Sequence, residues 1–412
     1  MKNIVAIVDP FSSGKLIASR LHEQGFGTIA IISNSDTLAT FGDSFVGSDF
    51  SKIYYFDGNI NFLSDEMSFL GVKKIIPGAE SGVTLADTLS NIFSPEISNA
   101  YNCTHARRDK MEMVDALQSH SLRAIKSIKT DNLKIVEQWL SENPNISRLV
   151  VKPLESAGTD SVGIFKIDED WRNHAKNILG TKDKLGHVNY ALLFQEYIQG
   201  VEYVVDSFSW HGKHYIKNVC RYKKIRNGAH EAVYSSLEFL DKSIPQYKIL
   251  REYIYNVLDA LGISYGAAHS EVIIDDKGPV LVETGARLHG GGHPIYAEMC
   301  TGQSQLTDLI HAYTEDEAQF GDYDYMKHVN IIFIVAESAG VLNENFFMQK
   351  LEFLKNAKEI KLLKNPGDCV HETSDLYSIL GFVVLSGDDL SSIVADEAKI
   401  RMWEKNIVAI TK

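Results

Sequence analysis

The sequence predicts an α/β chain that opens with a doubly wound parallel-sheet domain and continues into an α+β part. Three observations carry this expectation. Over residues 1–100, short apolar runs alternate with helical patterns, as strands and helices do in βαβ units. Between residues 149 and 287, β-rich runs follow one another with few helices, the pattern of an α+β region. The length of 412 residues exceeds one ordinary domain, so two or three are expected.

In chain order, residues 4–8 are strand-like, 16–23 helical, and 28–32, 51–56 and 73–76 strand-like. Ligands of such sheets lie beyond the carboxyl ends of strands, which points to the loops 9–14 and 77–83. The first, DPFSSGKL, departs from a phosphate-binding P-loop at two mechanical positions. Asp9 stands where the first glycine belongs, and Leu16 where a hydroxyl binds magnesium. In the second, Glu80 and Ser81 precede a helix through Leu85 and Leu89, whose free N–H groups attract anions or accept an ordinary cap. Residues 105–119 read as a helix that starts basic (Arg107, Arg108, Lys110), and 133–140 as another. Strands follow at 149–152, 162–167, 191–197 and 202–210, then a helix at 247–261. The tail holds a strand at 329–336 and helices at 346–355 and 390–404.

Composition excludes several classes. A formal charge of -13 argues against a nucleic-acid surface, because phosphate backbones are held by basic patches. Cys103, Cys220, Cys300 and Cys369 form no CxxC pair and read as free thiols of a reducing compartment. The first residues lack a signal-peptide pattern, and no apolar run approaches the roughly 20 residues a membrane helix needs. A cytoplasmic protein without membrane contact is expected.

Chemistry concentrates in two stretches. VVKPLESAGTDSVGIFKI, residues 150–167, reads as strand, small-residue loop, strand. Lys152 ends the first strand, and Ser156, Ala157, Gly158 and Thr159 open a loop whose N–H and O–H groups suit phosphate. A structural turn is the alternative. HSEVIIDDKGPVLVETGAR, residues 269–287, reads as a hairpin. A three-residue loop, Asp276-Lys277-Gly278, would pair Asp275 with Pro279, Ile273 with Leu281 and Glu271 with Glu283. Two carboxylates facing each other repel, and a cation offsets that repulsion. Oxygen ligands without thiolates favour Mg²⁺. Between the two stretches, Gln195-Glu196-Tyr197-Ile198 offers an extended backbone edge, and Glu202 lies six residues beyond Glu196. After Arg287, the run LHGGGHP brings glycines such as Gly291, which allow close approach of a substrate. It also brings His289 and His293, suited to hold a carboxylate or take a proton, or simply to be structural.

In this order and spacing, Lys110, Lys152, the small-residue loop, Glu196, Glu202, Glu271, Glu283 and Arg287 resemble the ATP-grasp superfamily over most of the chain. Among its carboxylate–amine ligases the pattern is most like the bacterial L-amino-acid ligases. The resemblance implies a Rossmann-like domain over 1–100, a central ATP-grasp subdomain over 101–205, and a C-terminal subdomain with a terminal extension over 206–412. The nucleotide would lie between the two α+β subdomains. It implies ATP phosphates on Lys110, Lys152 and the loop from Ser156 to Thr159. Adenine would lie on Glu196, Tyr197 and Ile198, and ribose on Glu202. Two Mg²⁺ ions, replaceable by Mn²⁺, would be held by Glu271 and Glu283, with Arg287 catalytic. Glu80, Ser81, His269, His289, Gly291 and His293 would face the substrates. The expected reaction joins the carboxylate of one free L-amino acid to the amine of another, with ADP and phosphate released, in a monomer or homodimer. Other carboxylates and amines, a phosphotransferase, or a nucleotide-dependent regulator without turnover are the alternatives. One departure stands out: Gly285 occupies the position where many relatives place a metal-binding asparagine.

Overall fold

The computed structural model describes residues 3–409 apart from 73, 157, 229, 316 and 344–352. The expected helix at 346–355 therefore falls largely outside the described residues. The first part is a parallel sheet of β1 (Ile4–Val8), β2 (Gly27–Ile32), β3 (Ile53–Tyr55) and β4 (Lys74–Pro77), in the order β3-β2-β1-β4. Helices α1 (Lys15–Glu23), α2 (Ser35–Phe41), α3 (Ile60–Leu70) and α4 (Val83–Phe93) connect and follow its strands. Side-chain alternation along β1 divides the burial. Ala6 and Val8 pack with Leu63, Met67, Leu85 and Leu89, while Val5 and Ile7 pack with Ile17 and Leu21 on the opposite face. The strand order reverses between β1 and β4, so their following loops, 9–14 and 77–83, meet at the switch point of the sheet.

Next come α5 (Lys110–Ser119) and α6 (Leu133–Glu142), with an antiparallel sheet ordered β5-β8-β6-β7. Its strands are β5 (Ser127–Thr130), β6 (Arg148–Pro153), β7 (Gly163–Lys166) and β8 (Leu192–Glu196), and α7 (Trp171–Ile178) covers it. The expected helix over 105–119 is broken. Residues His105–Arg107 form a single tight turn, and α5 restarts where the Asp109 carboxylate accepts hydrogen bonds from the N–H groups of Met111 and Glu112.

The large sheet begins at Val201, so Glu202, expected in the central part, lies in the C-terminal one. It contains β9 (Val201–Trp210), β10 (Lys213–Asn227), β11 (His230–Leu240), β12 (Gly266–Asp275), β13 (Gly278–Gly285) and β14 (His328–Ile334). Two strands from the tail extend it, and the full set follows chain order as β15 (Gly340–Leu342), β16 (Ala357–Leu362), β17 (Cys369–Val370), β18 (Gly381–Gly387) and β19 (Val408–Ala409). Among the described residues the order is β13-β12-β9-β10-β11-β14-β18-β16, with β17-β15-β19 as a small separate sheet. Helices α8 (Tyr247–Ala260), α9 (His293–Thr301), α10 (Gln305–Thr314) and α11 (Leu390–Glu404) pack around these sheets. Leu250, Ile254 and Val257 of α8 bury against Val205, Val272 and Leu281, while Leu306, Leu309 and Ile310 of α10 join the core beneath Val5 and Ile7. That second contact fixes the first sheet against β9 and thereby sets the loops at its switch point against the end of β13.

The hairpin differs from expectation in its turn and agrees at its far end. The loop holds two residues, Asp276 and Lys277, and Asp275 pairs with Gly278, Ile273 with Val280 and Val272 with Leu281. An irregularity between Glu271 and Val272 admits one extra residue on β13, and Glu271 then faces Glu283. Gly278 takes a φ of 102°, which glycine adopts at little cost.

Candidate active site

The carboxylates of Glu271 and Glu283 face each other across β12 and β13, both partly buried. Lys110, the first residue of α5, places its ammonium 3.0 Å from Glu283 and donates to the carbonyl of Ser156 at 2.7 Å. Lys152, at the end of β6, is 5% exposed. Burial pushes its ammonium down to about 8, Lys110 adding to the effect while Glu283 and Glu271 oppose it. Burial alone would raise the Glu283 carboxyl, but Lys110 and Lys152 more than offset it and hold the group well below the usual range. Two acids and two buried ammoniums thus converge from four elements, each needing the other's charge.

Arg287 and Glu80 form the second half of the site. Nε of Arg287 lies 2.8 Å from Glu80 Oε2, and Arg108 pairs with the other Glu80 oxygen. Burial opposes the ionised form of Glu80, yet Arg287 and Arg108 lower its carboxyl. Gly285 explains itself here. A Cβ at that position would stand 2.5 Å from Glu80 Oε2 and 3.1 Å from Arg287 Cζ, so the ion pair occupies the space an asparagine side chain would need.

The small-residue loop is held between parts. Ser156 donates to Asp160 at 2.7 Å, which also accepts from the N–H of Lys184 at 3.0 Å. Gly158, at φ 67°, packs where a Cβ would meet the Tyr377 hydroxyl at 2.6 Å, and the Lys184 ammonium lies 3.4 Å from the centre of the Tyr377 ring. Thr159 and Ser161 also adopt positive φ, 61° and 56°, a backbone conformation costing roughly 1–2 kcal/mol each outside glycine. Ala157 lies outside the described residues.

Several expected contacts are already committed to protein partners. Glu202 accepts from Lys224 at 2.5 Å and Tyr234 at 2.9 Å, so the ribose hydroxyls expected there would compete with both. The Tyr197 N–H donates to the carbonyl of Arg148 at 3.0 Å, which takes it away from the expected adenine edge. Ile198 is buried beside Ile125 and Val280, and Glu196 accepts from the N–H of Lys126 at 3.3 Å. Ser81 donates to Asp9 at 2.5 Å, and the Gly291 N–H donates to the Ser12 hydroxyl at 2.8 Å, so neither stands open. The largest correction concerns His289 and His293. Both are buried and turned onto the carboxylate of Asp206, at 3.1 and 3.2 Å, instead of facing a substrate space. His269 turns the same way, with Nδ1 2.9 Å from Asp206 and Nε2 3.6 Å from Glu271. Burial works against its charge, but Asp206 and Glu271 raise the imidazole to about 9.

Sequence reasoning missed Asp206, Lys224, Tyr234 and Tyr377 as members of this region. The apolar run before Asp206 in YVVDSF was the available signal, since a buried acid requires partners.

Residues 146–294 match the model of the ATP-grasp domain. The chain is 28% identical over 413 residues to dapdiamide A synthase of Enterobacter agglomerans, covering 97% of this chain and 95% of that protein. In structure it resembles an L-amino acid ligase from Bacillus licheniformis, with TM-score 0.75 at 13% identity over 100% of this chain and 99% of the other. It also resembles N5-carboxyaminoimidazole synthetase from Staphylococcus aureus complexed with ADP, with TM-score 0.69 at 12% identity over 97% and 98% of the two chains. The chain therefore contains an ATP-grasp domain at residues 146–294, and over its whole length it is similar to enzymes that form amide bonds, the class the sequence resembles. Among the described residues no helix is long and apolar enough to cross a membrane.

Proposed function

We propose that the enzyme joins the carboxylate of one L-amino acid to the amine of a second, with ADP and phosphate as the other products. The observation that carries this reading is the meeting of the Glu271–Glu283 pair, Lys110 and Lys152 with the Glu80–Arg287 pair beside the switch point of the first sheet. The full-length likeness to dapdiamide A synthase and the fold shared with an L-amino acid ligase support the substrate class.

The donor set fits magnesium brought by ATP. The acids offer hard oxygens, and an ammonium 3.0 Å from Glu283 already marks the place of a cation. Glu271 and Glu283 would hold the metal, which neutralises charge on the transferring phosphoryl group. Lys110 and Lys152 bind phosphate oxygens, Lys152 as the protonated form. The carboxylate of the first amino acid attacks the γ-phosphorus, giving an acyl-phosphate and ADP. The amine of the second then attacks the acyl carbon and expels phosphate. Arg287 faces the oxyanion of that second step, where one good donor contributes about 3–4 kcal/mol. Glu80 orients Arg287 and offers a carboxylate to the first ammonium group. The loop at 156–163 excludes water from the acyl-phosphate.

The test is amine-dependent release of ADP and phosphate across a panel of amino-acid pairs, with the product mass read directly. AMP and pyrophosphate as products would overturn the acyl-phosphate route. ADP release with a phosphorylated product and no need for an amine would replace the ligase with a phosphotransferase.

A further inference from the structure

Asp206 is fully buried on β9, where its backbone partner on β12 is His269. Its Oδ1 takes Nδ1 of His269 at 2.9 Å. Its Oδ2 takes Nδ2 of Asn218 at 2.9 Å, Nδ1 of His289 at 3.1 Å and Nε2 of His293 at 3.2 Å. A carboxylate offers about four acceptor sites, so this one is filled by protein groups alone. The rings form a column. The centroids of His269 and His289 are 3.9 Å apart and those of His289 and His293 3.7 Å, and His293 stacks on Phe239 at 4.8 Å. With Nδ1 fixed on Asp206, the His269 ring presents its other nitrogen to Glu271 at 3.6 Å.

We propose that Asp206 is a positioning residue which, through His269, holds Glu271 in its metal-binding orientation and, through His289 and His293, anchors the glycine run that follows Arg287. The proposal rests on the assignment of Glu271 as a metal ligand. Its physical basis is that the partners of a ligating carboxylate fix its orientation, and that a single residue change among them is felt at the metal. Donor atoms of Asp206, His289 and His293 also lie within 4.8 Å of one another, as those of a metal site would. The geometry favours a hydrogen-bonded hub instead. Asp206 Oδ2 already receives Asn218, and the two imidazole rings lie stacked with their nitrogens on that same oxygen.

The experiment is a Mn²⁺ titration followed by electron paramagnetic resonance, with ADP present, on the wild-type protein and Asp206→Asn, His269→Gln and Glu271→Gln. Asp206→Asn and His269→Gln should each weaken Mn²⁺ binding about 10–100-fold, while ADP affinity without metal is unchanged. The double variant should be no weaker than the worse single one, because both changes release the same carboxylate. Wild-type Mn²⁺ affinity in folded Asp206→Asn overturns the proposal. If that variant does not fold, wild-type affinity in His269→Gln overturns it instead. Stoichiometric zinc in the isolated protein that is lost in Asp206→Asn also overturns it, in favour of a resident metal. Unchanged Mn²⁺ binding in Glu271→Gln would instead reject the metal assignment itself, a result distinct from failure at Asp206.

Discussion

Replacing Gly285 by asparagine puts the metal-binding residue type of many relatives into this site, and the structure predicts that it lowers activity. Gly285 has no positive φ, so the backbone accepts a side chain there without strain. The cost lies in front of it, where the new Cβ would stand 2.5 Å from Glu80 Oε2. An ordinary carbon–oxygen contact is about 3.3 Å, so the carboxylate must retreat by about 0.8 Å. Glu80 is the end of a flexible side chain, but Arg108 and Arg287 hold it from two sides, so Arg287 must move with it. A shift of about 1 Å at a reacting centre is worth about 10²-fold in rate. Loss of one oxyanion donor is worth about 10²–10³-fold, so kcat should fall into that range. Amine-dependent ADP release measures it, with ADP affinity by calorimetry as the control that should not change. Wild-type kcat in Gly285→Asn would refute both the assigned role of Arg287 and the reason given for the glycine.

Other expectations follow from individual groups. Because burial holds Lys152 at about 8, below its unfolded value, kcat/KM for ATP should decline as pH rises through about 8. Across the interval from about 8 to the ordinary lysine value, the unfolded chain binds more protons, so this group's contribution to stability should rise while activity falls. Chemical denaturation at several pH values against Lys152→Met checks the sign. Asp87→Ala should cost about 3–5 kcal/mol in unfolding free energy, since fully buried Arg107 donates to Asp87 at 2.6 and 3.0 Å and would keep an unbalanced charge. Gly158→Ala should raise amine-independent ATP hydrolysis, because both its φ of 67° and the Tyr377 ring oppose a Cβ and would displace the loop. Unchanged hydrolysis would remove Tyr377 from any role in holding that loop.

What the sequence made legible follows from how local each signal was. The alternation of apolar runs and helices over the first hundred residues is set within a few residues at a time, and the parallel sheet follows it. The pairing of Glu271 with Glu283 was readable because a hairpin is also local, although its turn was not. The long strands β10 and β11 escaped notice because their polar and apolar residues alternate weakly. With them went Lys224 and Tyr234, which meet Glu202 only once the sheet is assembled. The histidines of the glycine run showed the same limit in reverse. Their proximity to Arg287 in sequence suggested a substrate-facing role, while their direction is decided by Asp206, 83 residues from His289 along the chain. Gly285 read as a missing ligand until Glu80, two hundred residues earlier, filled the space beside it.

The extra residue on β13 has a mechanical consequence for how such a site tolerates change. β12 stays in unbroken register with β9 from Gly266 to Ile274, so its position is dictated from inside the sheet and not from the hairpin tip. The irregularity beside Glu271 works as a slip joint. On the turn side of it, Val272 and Leu281 stay packed in the core under α8 and Arg123 holds Asp275, so only the exposed turn residues Asp276 and Lys277 lie outside that packing. The exposed pair Asp276 and Lys277 is therefore the place where the protein can accept a grafted loop or an inserted label while its chemistry stays in register.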